Sequence, residues 1–293
     1  QNCVYWRWRT LITDSEEYTY TGLMSVYARE NPTLFENALT SILNQTIRPD
    51  YFLLVKDGML TDELENTIKM AKDKFEYCGI RFIQLQNKQN LGLGASLNRG
   101  LMACPTEFVA RFDSDDVNID LRMEKTMNAF RENPRLVIVG SQIFEFNTDE
   151  SHPLDVKNVP TSNDDIKRCS VKRNPFNHMS VTFRKSVISK VGGYIDVPLF
   201  EDYFLWIRVI HSKYPVLNLD DILVKAHVDG CFTSKRGGFH YLLKEIHFQN
   251  LLLKGHYIGI FQYVYNVVVR GSIRILSSKV LRLIYLHLRN TSK

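Results

Sequence analysis

Short apolar runs alternate with helix-like segments along the first half of the chain. Each run is rich in aromatic or branched residues, which is typical of a buried strand. These runs lie at residues 22–27, 51–55, 80–85 and 107–112. Helix-like segments between them begin at Asn31-Pro32, near Asp62 and within a loop at 90–100. The β-α-β-α-β-α-β order predicts an α/β fold with a mainly parallel central sheet flanked by helices.

The second half of the chain is less regular. Strand-like runs lie at residues 136–139, 179–183 and 216–219. No internal repeat or low-complexity linker separates them from the first half. We therefore expect the body of the chain to form one domain.

Charge is distributed unevenly along the chain, which has 293 residues and a net charge of +5. No acidic residue follows Glu245, whereas the same stretch has seven basic residues. They are Lys254, Arg270, Arg274, Lys279, Arg282, Arg289 and Lys293. The rest of the chain has 30 basic and 32 acidic residues. A nucleic-acid-binding protein would be basic more uniformly, so we expect no nucleic-acid partner.

The cysteines and the chain ends favour a cytoplasmic protein. The five cysteines are scattered, without zinc-ligand spacing or a disulfide framework. Residues 1–9 lack the apolar core of a signal peptide, and the chain does not begin with Met. No run reaches the roughly 18 apolar residues of a membrane span. Residues 257–269 come nearest, but Gln262 and Asn266 interrupt them.

An acidic run, Asp113-Ser114-Asp115-Asp116, directly follows the fourth predicted strand. Ligands of parallel sheets bind beyond the carboxyl ends of the strands, where Ser25-Val26-Tyr27 and Asp57-Gly58 are also expected. Two carboxylates one residue apart can share Mg²⁺ or Mn²⁺ with the oxygens of a diphosphate. Alternatively, Asp116 or Asn118 simply caps the helix that begins near Ile119.

A second acidic pair, Glu201-Asp202, precedes the apolar-aromatic run 203–207. One of the two carboxylates could act as a general base on an acceptor hydroxyl. Alternatively, both are first-turn residues that the amino-terminal end of a helix stabilises.

Two further segments have an open interpretation. The glycine-rich segment 90–100 matches neither a P-loop nor the dinucleotide-binding fingerprint. Its backbone could approach a phosphate or a ribose, or it could only start a helix. His178 lies in a turn before the strand-like run 179–183, where it is either a pocket residue or a structural one.

Taken in order, these motifs resemble the inverting glycosyltransferases of family 2, which have the GT-A fold. The likeness covers residues 23–238 and is strongest to bacterial enzymes that extend O-antigen or other surface-polysaccharide repeat units. It rests on Ser25-Val26-Tyr27, Ser41-Ile42-Leu43-Asn44-Gln45-Thr46, Lys56-Asp57-Gly58, the segment 90–100, Arg111-Phe112-Asp113-Ser114-Asp115-Asp116, Gly192-Gly193-Tyr194 and Glu201-Asp202-Tyr203-Phe204-Leu205-Trp206.

The resemblance implies a role for each matching residue. Asp57 would hydrogen-bond the uracil. Asp115 would ligate Mn²⁺ or Mg²⁺, and Asp113 would be the second residue of the metal site, facing the ribose or a metal-bound water. Asp202 would be the base, with Glu201 as the second candidate. The other implied nucleotide-sugar contacts are Ser25, Val26, Tyr27, Asn90, Gly94, Asn98, Arg111 and Ser114, and the implied acceptor-pocket residues are His178 and Trp206. Lys56 departs from the pattern, because many members have a second acid there.

The resemblance also implies a reaction and a domain arrangement. A hexose would move from a UDP-sugar, UDP-galactose or UDP-glucose, to a sugar hydroxyl of a polyprenyl-diphosphate-linked acceptor, giving a β-linkage. The rivals are a sugar-nucleotide pyrophosphorylase and an inactive membrane-peripheral scaffold with the same fold. We expect an extension at 1–20, a catalytic domain at 21–245 and a helical tail at 246–293. Within the catalytic domain, residues 21–118 would bind the nucleotide sugar and 119–245 the acceptor.

The tail has the pattern of a basic amphipathic helix. Arg274, Ser278, Arg282, Tyr285 and Arg289 share one helical face, and apolar residues gather on another. Such a helix either lies on an anionic membrane or packs against the catalytic domain. Because the implied acceptor is lipid-linked, we expect a protein peripheral to the inner face of the cytoplasmic membrane. The sequence gives no indication of the oligomeric state.

Overall fold

The computed structural model describes residues 18–147, 154–228 and 239–275. The strands within these ranges are β1 (Tyr20–Val26), β2 (Tyr51–Lys56), β3 (Arg81–Gln86), β4 (Phe108–Arg111), β5 (Val117–Asn118), β6 (Ile138–Phe146), β7 (Asp155–Lys157), β8 (Thr182–Arg184) and β9 (Val216–His227). The helices are α1 (Pro32–Leu43), α2 (Asp62–Tyr77), α3 (Leu93–Ala103), α4 (Arg122–Glu132), α5 (Asn163–Ser170), α6 (Lys185–Lys190), α7 (Glu201–His211), α8 (Phe239–Lys254) and α9 (Ile260–Ile275).

The first four strands form the parallel sheet that the sequence predicts. They lie side by side in the order β3-β2-β1-β4, and α1, α2 and α3 make the connections between them. Local signals set the helix starts. Asn31 caps α1 by accepting hydrogen bonds from the backbone N–H groups of Thr33 at 2.9 Å and Leu34 at 3.3 Å, and Pro32 occupies the first turn. The α/β prediction is therefore confirmed.

The second half of the sheet is mixed. Strand β8 is antiparallel to both β4 and β6, whereas β6 and β9 are parallel, and β5 closes the order on the far side of β9. The parallel arrangement therefore belongs to the first half. The run 179–183, predicted as one strand, is divided between a 3₁₀ turn at His178–Ser180 and the start of β8.

Alternating side chains of the strands build a core on each side of the sheet. Phe52 and Leu54 of β2 pack on one side with residues of α1, α2 and α4. Leu53 and Val55 pack on the other side with residues of α3 and α7. All four side chains are fully buried. This burial on both faces explains why β2 reads as one continuous apolar run.

Helices α8 and α9 form a hairpin that packs on α7. The rings of Phe200 and Phe248 stack with 4.6 Å between their centroids, and Leu252 is buried beside them. The predicted boundary between residues 245 and 246 lies inside α8. In the ranges that the structure describes, no helix is both long and apolar enough to cross a bilayer. Residues 1–17 of the predicted extension and residues 276–293 of the predicted tail lie outside the described residues.

Candidate active site

A cleft of about 350 Å³ lies at the carboxyl ends of β1, β2 and β4. It is lined by Ser25, Tyr27, Glu30, Asp57, Asn90, Gly92, Leu93, Arg111, Asp113, Ser114 and Asp115. Eight of these are among the site residues that the sequence predicts, and Glu30, Gly92 and Leu93 are additional. Val26 does not line the cleft, because strand alternation turns its side chain into the core.

Asp57 organises the wall of the cleft. Its Oδ1 accepts hydrogen bonds from Asn87 Nδ2 at 2.8 Å and from the Leu91 N–H at 2.7 Å, and its Oδ2 accepts one from the Gly92 N–H at 3.0 Å. Gly58 has a φ of +88°, and a Cβ there would lie 2.9 Å from the Asn90 backbone nitrogen. The residue after the end of β2 therefore lies closer to the glycine-rich loop than a side chain would allow. A carboxylate has about four acceptor positions, so Asp57 keeps one for a ligand.

Gly94 and Asn98 support the cleft rather than line it. Asn98 Oδ1 accepts a hydrogen bond from the Tyr194 N–H at 2.7 Å, and its Nδ2 donates to the Tyr194 carbonyl. A Cβ on Gly94 would lie 3.0 Å from Glu201 Cγ. The sequence predicts that both residues contact the nucleotide sugar. Neither residue lines the cleft, and their contacts fasten α3 to the turn at Tyr194 and to the first turn of α7, so the contact with the nucleotide sugar stays a prediction.

Two buried arginines hold the strand that precedes the acidic run. Arg111 is 1% exposed and forms an ion pair with Asp113. Arg122 donates from Nη2 to the Arg111 carbonyl at 2.7 Å and from Nη1 to Asn118. Burial lowers the pKa of Arg122 to about 9. Asp113 therefore faces the cleft with its orientation set by a cation.

His227 lies beside the acidic run, and the sequence does not reveal it. Its Nδ1 is 3.4 Å from Asp115 Oδ2, and its backbone N–H donates to Asp116 Oδ1 at 2.8 Å. Burial, and then the charge of Asp113, raises the pKa of both Asp115 and Asp116. His227 is the last residue of β9. This strand pairs with β5, which follows the acidic run directly.

Asp115 and His227 are the side chains here that fit a divalent metal. Oxygen and imidazole nitrogen are donors that Mn²⁺ accepts, and the Asp115 side chain is 37% exposed toward the cleft. Among the described residues, no three His, Cys, Asp or Glu side chains are arranged to hold a metal by themselves. The donor set therefore suits a metal that takes its remaining ligands from a diphosphate or from water.

Glu201 and Asp202 form the first turn of α7, and this position is compatible with both interpretations of the pair. Asp202 Oδ2 accepts a hydrogen bond from Asn174 Nδ2 at 2.7 Å. Burial is the main cause that raises the pKa of Glu201, whose stem packs against Gly94. The two carboxylates therefore differ, because Asp202 has a side-chain donor and Glu201 lies against a helix.

His178 and Trp206 lie in a cluster of rings with Tyr194. His178 Nε2 is 3.2 Å from the Tyr194 hydroxyl, and its ring centroid is 6.2 Å from that of Trp206. Burial, and then the charge of Arg111, lowers the pKa of His178, while the charges of Asp202 and Asp113 oppose that shift. The charges of Asp113 and Asp202 therefore both influence the His178 ring.

Trp206 is fully buried, so its side chain cannot contact an acceptor. Its indole packs against Phe176 and Phe183 in the core. The structure therefore corrects its assignment to the acceptor pocket. The aromatic run after Glu201-Asp202 supplies packing, since α7 is buried along most of its length.

A cleft with clustered carboxylates at the carboxyl ends of a half-parallel sheet is the arrangement of a GT-A glycosyltransferase. The chain belongs to glycosyl transferase family 2, whose family model matches residues 23–190. It is 33% identical to the amylovoran biosynthesis glycosyltransferase AmsE of Erwinia amylovora, over 91% of this chain and 97% of that protein. It is also 33% identical to the UDP-Gal:alpha-D-GlcNAc-diphosphoundecaprenol beta-1,3-galactosyltransferase of Escherichia coli, over 91% of this chain and 94% of that protein.

Solved structures show the same fold at low sequence identity. The mannosyltransferase PcManGT of Pyrobaculum calidifontis, solved with GDP-Man and Mn²⁺, aligns over 92% of this chain and 79% of its own, with a TM-score of 0.60 and 13% identity. S. aureus TarS 1-349 in complex with UDP-GlcNAc aligns over 80% of this chain and 66% of its own, with a TM-score of 0.59 and 15% identity. This chain thus spans slightly less than two thirds of that TarS structure. Both likenesses concern the fold.

Proposed function

We propose that this glycosyltransferase moves a hexose from a UDP-sugar to a sugar hydroxyl of a polyprenyl-diphosphate-linked acceptor, with inversion to a β-linkage. The observation that carries the proposal is one cleft that contains Asp57, which follows β2, together with Asp113 and Asp115, which both follow β4. A nucleoside diphosphate offers each of them a partner, namely a base N–H, a ribose hydroxyl and a metal-bound diphosphate. UDP-galactose and UDP-glucose are the donors that we expect.

The nucleotide would lie between β1 and the loop that follows β3. Asp57 would use its remaining acceptor position for the N–H of uracil, because its other positions hold the loop. Ser25 and Tyr27 would flank the uridine, and Tyr27 is 39% exposed. Asp115 and His227 would hold Mn²⁺ or Mg²⁺, with Asp113 beside them. Bound there, the metal supplies positive charge that stabilises the departing diphosphate.

Asp202 would act as the general base. It would take the proton of the acceptor hydroxyl while that oxygen attacks the anomeric carbon from the face opposite the diphosphate. A single displacement of this kind breaks the bond to the diphosphate as the new glycosidic bond forms. An α-linked UDP-sugar then gives a β-linked product. Asn174 would hold the Asp202 carboxylate at 2.7 Å.

The relatives support a role in surface-polysaccharide synthesis. One is named for a diphosphoundecaprenol-linked acceptor and one for amylovoran biosynthesis, and both match this chain over nearly its whole length. A lipid-linked acceptor would place the enzyme at the cytoplasmic face of the membrane. The seven basic residues after Glu245 would then attract anionic lipid.

Two rival functions are less well supported. A sugar-nucleotide pyrophosphorylase should have a glycine-rich loop with an arginine directly after the first strand. Here the first strand is followed by Tyr27-Ala28-Arg29-Glu30, and the chain belongs to a glycosyltransferase family. An inactive scaffold with this fold would bind lipid but would hydrolyse no UDP-sugar.

A screen of UDP-sugars by thermal unfolding tests the donor. We expect UDP-galactose or UDP-glucose with Mn²⁺ to raise the unfolding temperature, since a ligand at 100 times its Kd stabilises the folded state by about 2.7 kcal/mol. Asp115→Asn and His227→Ala should each remove the Mn²⁺-dependent part of that increase. Asp221→Asn is the control, because that carboxylate pairs with Lys125 on the surface.

NMR of the transfer product tests the stereochemistry. The anomeric proton of the new linkage should show the coupling of a β-glycoside. An α-linked product would refute the single displacement. A protein that neither binds nor hydrolyses any UDP-sugar would support the scaffold instead.

A further inference from the structure

Helix α9 exposes its apolar face and buries its polar one. Phe261 is 89% exposed, Val264 51%, Tyr265 54% and Val268 61%. These positions follow the spacing i, i+3, i+4 and i+7, so they form one stripe on the outside of the helix. A surface helix of a globular protein normally has the opposite orientation, with its apolar stripe toward the core.

The polar residues of α9 lie on the inner face at i, i+4 and i+8. Gln262 donates to Asn266 Oδ1 at 2.7 Å, and Asn266, only 1% exposed, donates to Gln249 of α8 at 2.9 Å. Arg270 makes a two-point ion pair with the fully buried Glu245, at 2.9 and 3.0 Å. These bonds fix the rotation of α9 about its axis, so the outward direction of the apolar stripe is built into the fold.

The charge of the surrounding segment indicates what covers the stripe. From residue 246 onward the sequence contains seven basic residues and no acidic one, and Glu245 neutralises only Arg270. Two copies joined through α9 would bring two such basic segments together, which is unfavourable. An anionic bilayer attracts the same charges and accepts the apolar stripe at its interface. Within residues 239–275, no helix is long and apolar enough to span the bilayer, so the described part of α9 would lie on the surface.

We propose that the outer face of α9, formed by Phe261, Val264, Tyr265 and Val268, inserts into the headgroup region of an anionic membrane. This apolar face lies within the tail predicted at 246–293, whereas the electrostatic attraction expected from the sequence rests on the basic residues of that tail. The choice of a membrane as partner rests on the proposed lipid-linked acceptor, whereas the orientation of the face rests on the structure alone. The face supplies the apolar part of the contact, and Asn266 and Arg270 on the inner side of α9 hold it in place.

Vesicle sedimentation with matched variants tests the proposal. The face variant is Phe261→Ser with Val264→Ser and Val268→Ser. Its control is Met70→Ser with Tyr77→Ser and Met102→Ser. The first two side chains belong to α2 and the third to α3, and they are 57%, 93% and 82% exposed. The vesicles contain equal parts of phosphatidylcholine and phosphatidylglycerol.

We expect the face variant to partition at least about tenfold less than the full chain, and the control variant to partition as the full chain does. Equal partitioning of the two variants would overturn the proposal. So would a full chain that sediments as a dimer without vesicles while the face variant sediments as a monomer, since a second copy would then cover the stripe. Stronger partitioning after removal of residues 276–293 would also overturn it, since the tail would be the cover.

A transfer assay keeps this proposal separate from the proposed function. With a soluble acceptor that lacks the lipid and no vesicles present, the face variant should retain the transfer activity of the full chain. Unchanged partitioning of the face variant would refute the membrane face but leave the transferase intact. Partitioning that falls as expected, without transfer from any UDP-sugar, would refute the proposed function but leave the membrane face. A retained unfolding temperature shows that the face variant is folded.

Discussion

The hydrogen bond between Asn174 and Asp202 gives a single side chain control over the proposed base. Asn174 Nδ2 lies 2.7 Å from Asp202 Oδ2, and Asn174 Oδ1 accepts the Phe176 N–H at 3.2 Å. The amide is thereby held in one orientation by its own loop. It donates to one carboxylate oxygen and so fixes the direction of the Asp202 side chain. Asn174 is thus expected to be a positioning residue.

Replacement of Asn174 should lower turnover without weakening donor binding. We expect Asn174→Ala to reduce kcat about tenfold while the KM for the UDP-sugar stays constant, because the carboxylate loses its fixed orientation. Asn174→Asp puts a second negative charge beside Asp202. It should therefore also shift the acid limb of the pH–rate profile to higher pH. Initial-rate kinetics over a range of pH would measure both effects.

A control variant separates positioning from general damage. Asn128→Ala removes an amide that accepts a hydrogen bond from Arg131 on the surface of α4, and it should leave kcat unchanged. An Asn174→Asp profile that falls in height without moving along the pH axis would indicate a purely structural role for Asn174.

Glu201 and Asp202 are adjacent, but we expect their substitutions to affect transfer differently. Burial raises the pKa of Glu201, so its ionised form is disfavoured in the folded protein. Asp202→Asn should reduce transfer by at least about a hundredfold, the usual contribution of a general base, whereas Glu201→Gln should keep most activity. Initial rates with a soluble acceptor would measure the difference. Loss of activity in Glu201→Gln alone would transfer the role of base to Glu201.

The same substitution of Glu201 has a pH-dependent effect on stability. A carboxyl group whose pKa is raised in the folded state binds protons more tightly there than in the unfolded chain. Stability is then lost as pH rises from the unfolded value of 4.5 through the folded pKa. Glu201→Gln avoids this loss. Its unfolding temperature relative to the unsubstituted protein should therefore increase with pH over that window, and a difference independent of pH would contradict the explanation.

At the scale of whole elements, the α8–α9 hairpin is fastened by a buried ion pair. Glu245 is fully buried and the Arg270 side chain is 18% exposed. Arg270 also donates to the Lys172 carbonyl at 3.1 Å, and Asn266 donates to the Val171 carbonyl at 2.9 Å. The inner face of α9 therefore holds the turn that leads to Asn174, and through it the loop of the proposed base.

Removal of one partner of this pair should cost more than removal of both. We expect Arg270→Met to lower the free energy of unfolding by about 3 kcal/mol, because it leaves the Glu245 carboxylate buried without a cation. The double variant Glu245→Leu with Arg270→Met should recover most of that loss, since both charges are gone. Urea denaturation would measure the three proteins. A double variant that is less stable than Arg270→Met would show that the pair itself is strongly stabilising.

Helices and strands with a strong local signal could be predicted from the sequence, and those set by distant partners could not. The residues 62–77 read as a helix and are α2, whose cap Thr61 is local. Strand β9 continues from Val216 to His227 through Asp220 and Asp221, which interrupt the apolar run that predicted the strand at 216–219. It is held by pairing with β6 and β5. His227 could not be predicted as a site residue, because only this pairing brings it beside Asp115, which is remote in sequence.

The predicted site residues divide in the same way. The positions at the strand ends, such as Asp57, Asp113 and Asp115, could be placed because a parallel sheet puts its strand ends together. The side chains of Asn98 and Trp206 could not be placed, since their direction depends on how α3 and α7 pack on the sheet. A ligand contact was predicted for these two residues because each lies in or beside a motif. In the structure, Asn98 hydrogen-bonds the backbone of Tyr194 and Trp206 is buried in the core.

At the scale of the whole molecule, the two proposed membrane elements should respond differently to salt. The stripe on α9 contributes apolar contact, which salt does not screen. The segment 276–293 contributes the charges of Lys279, Arg282, Arg289 and Lys293, each of which attracts an anionic surface by about 1 kcal/mol within a Debye length. The catalytic body is nearly neutral, so it adds little attraction of its own.

A chain that lacks residues 276–293 should therefore bind anionic vesicles at least about tenfold more weakly at low salt, and its binding should depend less on salt than that of the full chain. At high salt the two curves should converge on the apolar contribution of α9. Sedimentation with phosphatidylglycerol-containing vesicles across a salt series would measure both slopes, and neutral phosphatidylcholine vesicles give the apolar contribution directly. Equal salt slopes for the two chains would place the attraction outside the tail. Convergence to no binding at all would instead remove the apolar contribution assigned to Phe261, Val264, Tyr265 and Val268, because that contribution persists when charges are screened.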